Sequence, residues 1–275
     1  DDVLWPGKPL YFSKTSGTTS GVKYIPISKE SISNHINAAR NALLLYINET
    51  GKSEFVDGKL IFLSGSPTLD KKAGIPTGRL SGIVNHHVPS YLRSNQMPNM
   101  ETNCIEDWEQ KVDRIVEETL HEDMTLISGI PPWVQMYFDR LTEKTGKRIK
   151  EIFPNFGLFV YGGVNFEPYR SKLEKSIGGK IDTIELYPAS EGFIAYQDKQ
   201  PSQGLLLNLN DGIFYEFIKA ADFFNVDAKR IELKDVELDI NYAIILSTNA
   251  GLWAYNIGDT VKFVSLAPYR IIVSG

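Results

Sequence analysis

The stretch MTLISGIPPWVQMYFDRLTEKTG, residues 124–146, reads as an apolar strand followed by a helix that opens on two prolines and stops at a glycine. Proline suits the first helical turn, where its missing N–H would have no partner, and glycine suits the left-handed residue just past the end. The same unit then repeats. FGLFVYGG (156–163) is a second strand, EPYRSKLEKSIGG (167–179) a second helix and KIDTIELY (180–187) a third strand. Upstream, KLIFLSG (59–65) is another buried-type strand. IEDWEQKVDRIVEETL (105–120) sets Ile105, Trp108, Val112, Val116 and Leu120 along one helical face. Alternating strands and helices predict an α/β fold whose mostly parallel sheet is covered by helices.

Further outward the rhythm changes. Near the start, Ser28 has the position of an N-cap, and Ile32, Ile36, Leu43 and Ile47 mark a helix that ends at Gly51. Residues 66–104 are rich in Gly, Pro, Ser and Asn and predict a long irregular loop, functional or mobile. From Phe193 onward the chain reads as strands alone: FIAYQ, GLLLNL, GIFYEFI, NYAIILS, LWAYNIG and TVKFV, which predict antiparallel hairpins or a barrel-like subdomain. The expected division is an α/β part over 1–192 and a mainly β part over 193–275.

Composition narrows the class. The chain has 275 residues, 42% of them hydrophobic, enough for a sizeable core, and a net charge of −5, which argues against nucleic acid as a partner. Cys104 is the only cysteine, so no intrachain disulfide can form, and a cytoplasmic setting is expected. The apolar runs are far too short to span a bilayer, and DDVLWPGKPLYF at the start is not a secretory leader. The missing initiator methionine and the abrupt end at YRIIVSG are expected marks of a chain trimmed at both ends.

Four motifs could carry chemistry. SKTSGTTSGVKYIP (13–26) concentrates hydroxyls and glycines without the spacing of a P-loop. Gly17 and Gly21 would let backbone N–H groups approach an anion, Ser16, Thr18, Thr19 and Ser20 offer hydroxyl donors, and Lys23 adds a charge. A surface turn is the alternative. LFVYGGVNFEP (158–168) ends a strand in Gly162 and Gly163, where a flat ring could approach backbone at the carboxyl end of a sheet, or the chain could simply turn. In IELYPASEGFIAY (184–196), Glu191 in a Pro-Ala-Ser turn could hold Mg²⁺ and Tyr187 could flank a purine; a solvated turn acid is the alternative. In GLWAYNIGDTVKF (251–263), Gly258-Asp259 signals a hairpin turn, and an aspartate fixed there could accept both hydroxyls of a ribose. His86 and His87 are adjacent without cysteine partners and make no metal site, and no G-x-S-x-G elbow is present.

Taken in order, these four motifs resemble the adenylate-forming enzymes. They are most similar to the acyl-acid amido synthetases, the auxin-responsive promoter family of auxin- and jasmonate-conjugating plant enzymes and their bacterial relatives. VLWPGKPLYFSKTSGTTSG and DGIFYEFI (211–218) share the likeness, which runs from Val3 to Gly275. The resemblance implies the large N-terminal domain of that fold, with mixed sheets flanked by helices, a β-barrel-like subdomain and no C-terminal domain. It implies a ligase that uses ATP and Mg²⁺ to convert a carboxylic acid to an acyl-adenylate and then forms an amide with an amino acid. Ser16, Gly17, Thr18, Thr19 and Lys23 would hold the phosphates, and Gly162, Gly163 and Tyr187 would frame the adenine. Ser190 and Glu191 would serve the α-phosphate and the metal, with Glu191, Ser190 and Lys23 as the catalytic set, and Asp259 would bind the ribose. His87, Tyr91 and Trp133 are candidates for the acyl pocket on aromatic character. The rival readings are a coenzyme A ligase of the same superfamily and a non-catalytic relative that binds nucleotide or carboxylate. Ala189 stands where many relatives carry a hydroxyl residue.

Overall fold

A computed structural model describes residues 3–17, 21–88 and 90–275, apart from the side chains of Ser16, Tyr91 and Leu92. Thr18 and Thr19 therefore lie outside the described residues. Contacts gather the chain into two compact units, one of residues 1–42, 70–80 and 187–275 and the other of residues 43–69 and 81–186. The first segments of the chain thus join the β part, and the division is woven rather than cut once at residue 192.

The second unit is the α/β part. The strands Lys59–Leu63, Met124–Gly129 and Leu158–Gly162 and the first residues of Asp182–Ala189 pair in parallel. The short strand Gln96–Met97 adds to the far side of Lys59–Leu63. Asp107 caps the helix Trp108–Thr119, its Oδ1 accepting from the Gln110 N–H at 2.9 Å. The helix Pro131–Thr145 begins at the expected prolines and ends at Gly146 with φ 69°, and Glu167–Ile177 ends at Gly178 with φ 93°. Val112, Val116, Phe138, Leu141, Phe159 and Leu173 from these helices and strands fill one buried core. Lys111 lies inside it with a side chain that donates to Ser64 O at 2.9 Å and Asn103 O at 2.7 Å, and burial lowers its ammonium to about 8.

The region expected to be irregular carries short elements instead. They are the strands Asp70–Lys72 and Ile75–Gly78 and the helices Leu80–Asn85, Ser90–Arg93 and Met100–Asn103. Elements this short complete too few periods to leave a hydrophobic pattern.

The first unit holds two sheets. Tyr11–Gly17 and Gly21–Ile27 form a hairpin, and Ile75–Gly78 and Asp70–Lys72 extend it. The second sheet is antiparallel, with Ile231–Glu232, Ile213–Lys219, Asn241–Thr248, Tyr255–Leu266, Tyr269–Val273, Leu205–Leu207 and Gly192–Gln197 in that spatial order. Tyr187, Ile194, Tyr215, Phe217, Tyr242 and Phe263 build its core. The helix Lys29–Thr50 begins in this unit, where Ser28 and Ser31 cap it reciprocally: the Ser31 N–H donates to Ser28 Oγ at 3.0 Å and the Ser28 N–H to Ser31 Oγ at 2.9 Å.

His35, one turn further along that helix, is 4% exposed, and its Nδ1 has no hydrogen-bond partner among the described residues. Burial depresses its pKa to about 4 from the ordinary 6.5. Between these values the unfolded chain takes up a proton that the folded chain refuses. The fold is therefore expected to lose up to about 1.4 kcal/mol of stability per pH unit as pH falls from 6.5 to 4. Urea titrations at several pH values, compared with His35→Gln, check this: the slope should flatten in the variant.

Candidate functional site

The hydroxyl-rich motif does not begin as a loop. Residues 13–17 and 21–27 are strand, paired in the register Ser13↔Ile25, Thr15↔Lys23, Gly17↔Gly21. Directly paired residues share a side of an antiparallel hairpin, so Ser13, Thr15, Lys23 and Ile25 form one face. Phe12, Lys14, Tyr24 and Pro26 form the other. Gly21 has φ 80°, a conformation that bulkier residues rarely adopt.

The same unit presents a second turn. Pro188 and Ala189, expected in the turn, instead end the strand Asp182–Ala189, and only Ser190 and Glu191 lie between it and Gly192–Gln197. A β-carbon on Gly192 would sit 2.5 Å from Ile213 Cδ1, so glycine lets the turn settle against the sheet. Ser190 Oγ is hydrogen-bonded to Ser13 Oγ at 2.7 Å, and Ser13 is fully buried. Burial raises the Glu191 carboxyl above its ordinary value; its own backbone N–H and the Lys23 ammonium pull it down, and Asp259 pushes it up. Lys23 Nζ also stands 5.8 Å from the centre of the Tyr255 ring.

Gly258-Asp259 does not turn a hairpin. Both residues lie within the single strand Tyr255–Leu266, where the pairing jumps from Ala243↔Thr260 to Ile245↔Asn256. This is a bulge, and Gly258 supplies its φ of 96°. The bulge aims Asp259 at Tyr187, whose hydroxyl donates to Asp259 Oδ2 at 2.5 Å. The Tyr187 ring itself is 8% exposed and packed in the sheet core, and burial together with Asp259 drives its hydroxyl far above the ordinary phenol range. Tyr187 thus orients the carboxylate, and Asp259 Oδ1 has no other hydrogen-bond partner among the described residues.

Within this unit, then, the fold brings together Lys23, Tyr187, Ser190, Glu191 and Asp259 from segments far apart in sequence. Ser13 belongs with them and was missed, because a lone serine in a polar run carries no signal of burial. Among the described residues no group of three or more His, Cys, Asp or Glu side chains could hold a metal alone. A single half-buried carboxylate suits Mg²⁺, which commonly takes one or two protein carboxylates and completes its shell with water and substrate phosphates.

The remaining candidates belong to the other unit. Gly162 ends its strand, and Gly163 has φ 80° with Ile130 Cγ2 3.3 Å from where a β-carbon would lie. Trp133 stacks on Trp108 with ring centres 4.1 Å apart, which ties the starts of two helices together. His87 is half-buried, its imidazole lowered by burial and by His86, while His86 Nε2 is 2.8 Å from Pro67 O. Tyr91 lies in the helix Ser90–Arg93, its side chain outside the description.

Residues 1–106 and 80–181 match the GH3 family N-terminal domain, and residues 206–274 match the GH3 family central domain. The chain belongs to the GH3 family. Among its relatives is the jasmonoyl-L-amino acid synthetase JAR4 of Nicotiana attenuata, 22% identical over 93% of this GH3 chain and 55% of JAR4. The solved structure of the AtGH3.15 acyl acid amido synthetase in complex with 2,4-DB superposes with a TM-score of 0.75 at 14% identity, covering 96% of this chain and 56% of that one. A 2-hydroxyisobutyryl-CoA ligase in complex with 2-HIB-AMP and CoA has a TM-score of 0.58 at 13% identity, covering 93% and 48%. The chain shares the fold of these solved structures and spans about half the length of each relative. Among the described residues no helix is long and apolar enough to cross a membrane.

Proposed function

We propose that this GH3 chain binds ATP and activates a carboxylic acid as its acyl-adenylate, for transfer to an amino acid by an acyl-acid amido synthetase. The observation that carries this reading is the convergence of Lys23, the Ser190–Glu191 turn and the Tyr187–Asp259 pair in one unit. A cation, a hydroxyl beside a carboxylate, and an oriented carboxylate with one oxygen to spare are what phosphates, a phosphate-bound metal and a ribose diol each require. The amido synthetases among the relatives supply the reaction class; their acids and amines are theirs.

In this reading the chain works mainly by positioning and by charge. Lys23 offsets the negative charge that builds on the phosphates, joined by the hydroxyls of Ser16, Thr18 and Thr19 and the backbone of Gly17. Ser190 donates to the α-phosphate. Glu191 would hold Mg²⁺, which when bound would supply positive charge beside the phosphates. Asp259 Oδ1 accepts from the ribose, its partner oxygen fixed by Tyr187. Gly162 and Gly163 are assigned to the purine on their motif alone, and His87, Tyr91 and Trp133 to the acyl group on aromatic character alone. A cytoplasmic setting rests on the single cysteine.

Pyrophosphate exchange into ATP, followed over a panel of carboxylic acids, tests the reading. We expect exchange that depends on one class of acid and on Mg²⁺. ATP hydrolysis indifferent to every acid, or no nucleotide binding at all, would refute it.

A further inference from the structure

We infer that Ser13 is a positioning residue, whose hydroxyl locks the phosphate-binding hairpin to the Ser190–Glu191 turn so that the two act as one rigid piece. Three observations carry it. Ser13 is 0% exposed, on a strand held from both sides: it pairs with Ile25 across the hairpin and with Gly78 in the parallel neighbour. Its Oγ is 2.7 Å from Ser190 Oγ, across 177 residues of chain. On the same hairpin face, two positions further along, the Thr15↔Lys23 pair brings up the ammonium that acts on Glu191. The turn is therefore gripped twice by one face, once by a hydrogen bond and once by charge.

The bond has a direction to choose. Either hydroxyl can donate, and neither is ionised. If Ser190 turns its proton toward an anion, Ser13 must become the donor to Ser190 Oγ. A hydroxyl that accepts one hydrogen bond donates a stronger one, because the chain of dipoles is polarised in one sense. Ser13 thereby both fixes the turn and strengthens Ser190 as a donor, without touching the ligand. Only this second effect rests on the nucleotide reading given above.

The test uses the whole chain with Ser13→Ala, Ser190→Ala and the double variant, and Ser13→Cys as a near-isosteric alternative should alanine unfold the strand. Hydrogen exchange without ligand is read first. Ser13→Ala should speed exchange at the Glu191 and Gly192 amides at least tenfold while leaving the buried amides of Tyr242–Leu246 unchanged. Unchanged exchange at the turn, or faster exchange throughout the unit, would overturn the inference. Calorimetry with ATP and Mg²⁺ is read second. Ser13→Ala should weaken binding about tenfold, and should have no further effect once Ser190 is alanine. Equal, additive losses in the double variant would overturn the coupling. If the unaltered chain binds no ATP, the nucleotide reading falls and the exchange result still decides the role of Ser13.

Discussion

Glu191→Gln is expected to abolish Mg²⁺-dependent adenylation, lowering the rate about 10²–10³-fold or more, while leaving the fold as stable as before or slightly more so. The two effects run in opposite directions for one physical reason. The carboxyl sits in a turn where burial raises its pKa and Asp259 repels it, so holding the negative charge there costs the folded state. Glutamine removes that cost at nearly the same shape. The same charge is what a phosphate-bound cation needs, and a group that is costly when alone gains most from a cation. Pyrophosphate exchange and urea denaturation on the same preparation check both halves. Full activity in Glu191→Gln would remove Glu191 from the mechanism. The acid limb of the wild-type pH profile should also lie above the ordinary glutamate range, since protonation of Glu191 would cost the metal its ligand.

Asp259→Ala is expected to weaken ATP binding by about 1–3 kcal/mol, roughly fivefold to 150-fold, the scale for hydrogen bonds to a charged group. It should also destabilise the chain, because it strands the Tyr187 hydroxyl, buried against the sheet core, without its acceptor. Tyr187→Phe in the Asp259→Ala background removes that stranded donor. The double variant should therefore regain stability and not affinity. Tyr187→Phe alone frees Asp259 to rotate and should cost a smaller part of the affinity. Calorimetry beside thermal melting separates these outcomes; an Asp259→Ala chain that is folded and binds ATP as well as before would sink the ribose assignment.

The α/β part could be read from sequence because its signals are strong and local. The run 124–146 carries its own start and stop in Pro131-Pro132 and Gly146, and Gly178 does the same for the next helix. The hairpin was harder. Its first strand carries Ser13 and Thr15 on the face that meets the Ser190–Glu191 turn, where a core strand would have apolar residues, and this removes the alternation that announces a strand. Gly258-Asp259 misled for a different reason: a glycine with positive φ serves a hairpin turn and a bulge equally, and only the pairing partners tell them apart. The burial of Lys111 carries no signal in the sequence, since nothing near it shows that Ser64 and Asn103 will offer it carbonyls. The candidate site was legible as motifs and not as geometry. Glu191, Asp259, Lys23 and Tyr187 stood out in their motifs, whereas the Tyr187–Asp259 pairing spans 72 residues and the Ser13–Ser190 bond 177. Partners that far apart become visible only when the chain is folded.

The measurement that tests the central claim most directly is calorimetric titration of this chain with ATP, with and without Mg²⁺. The account predicts saturable binding at one site per chain, weakened when the metal is withheld and weakened again in Asp259→Ala. A well-folded chain that takes up no ATP, or binds it equally with and without metal and in the variant, would contradict the assignment of Lys23, Ser190, Glu191 and Asp259 to a nucleotide.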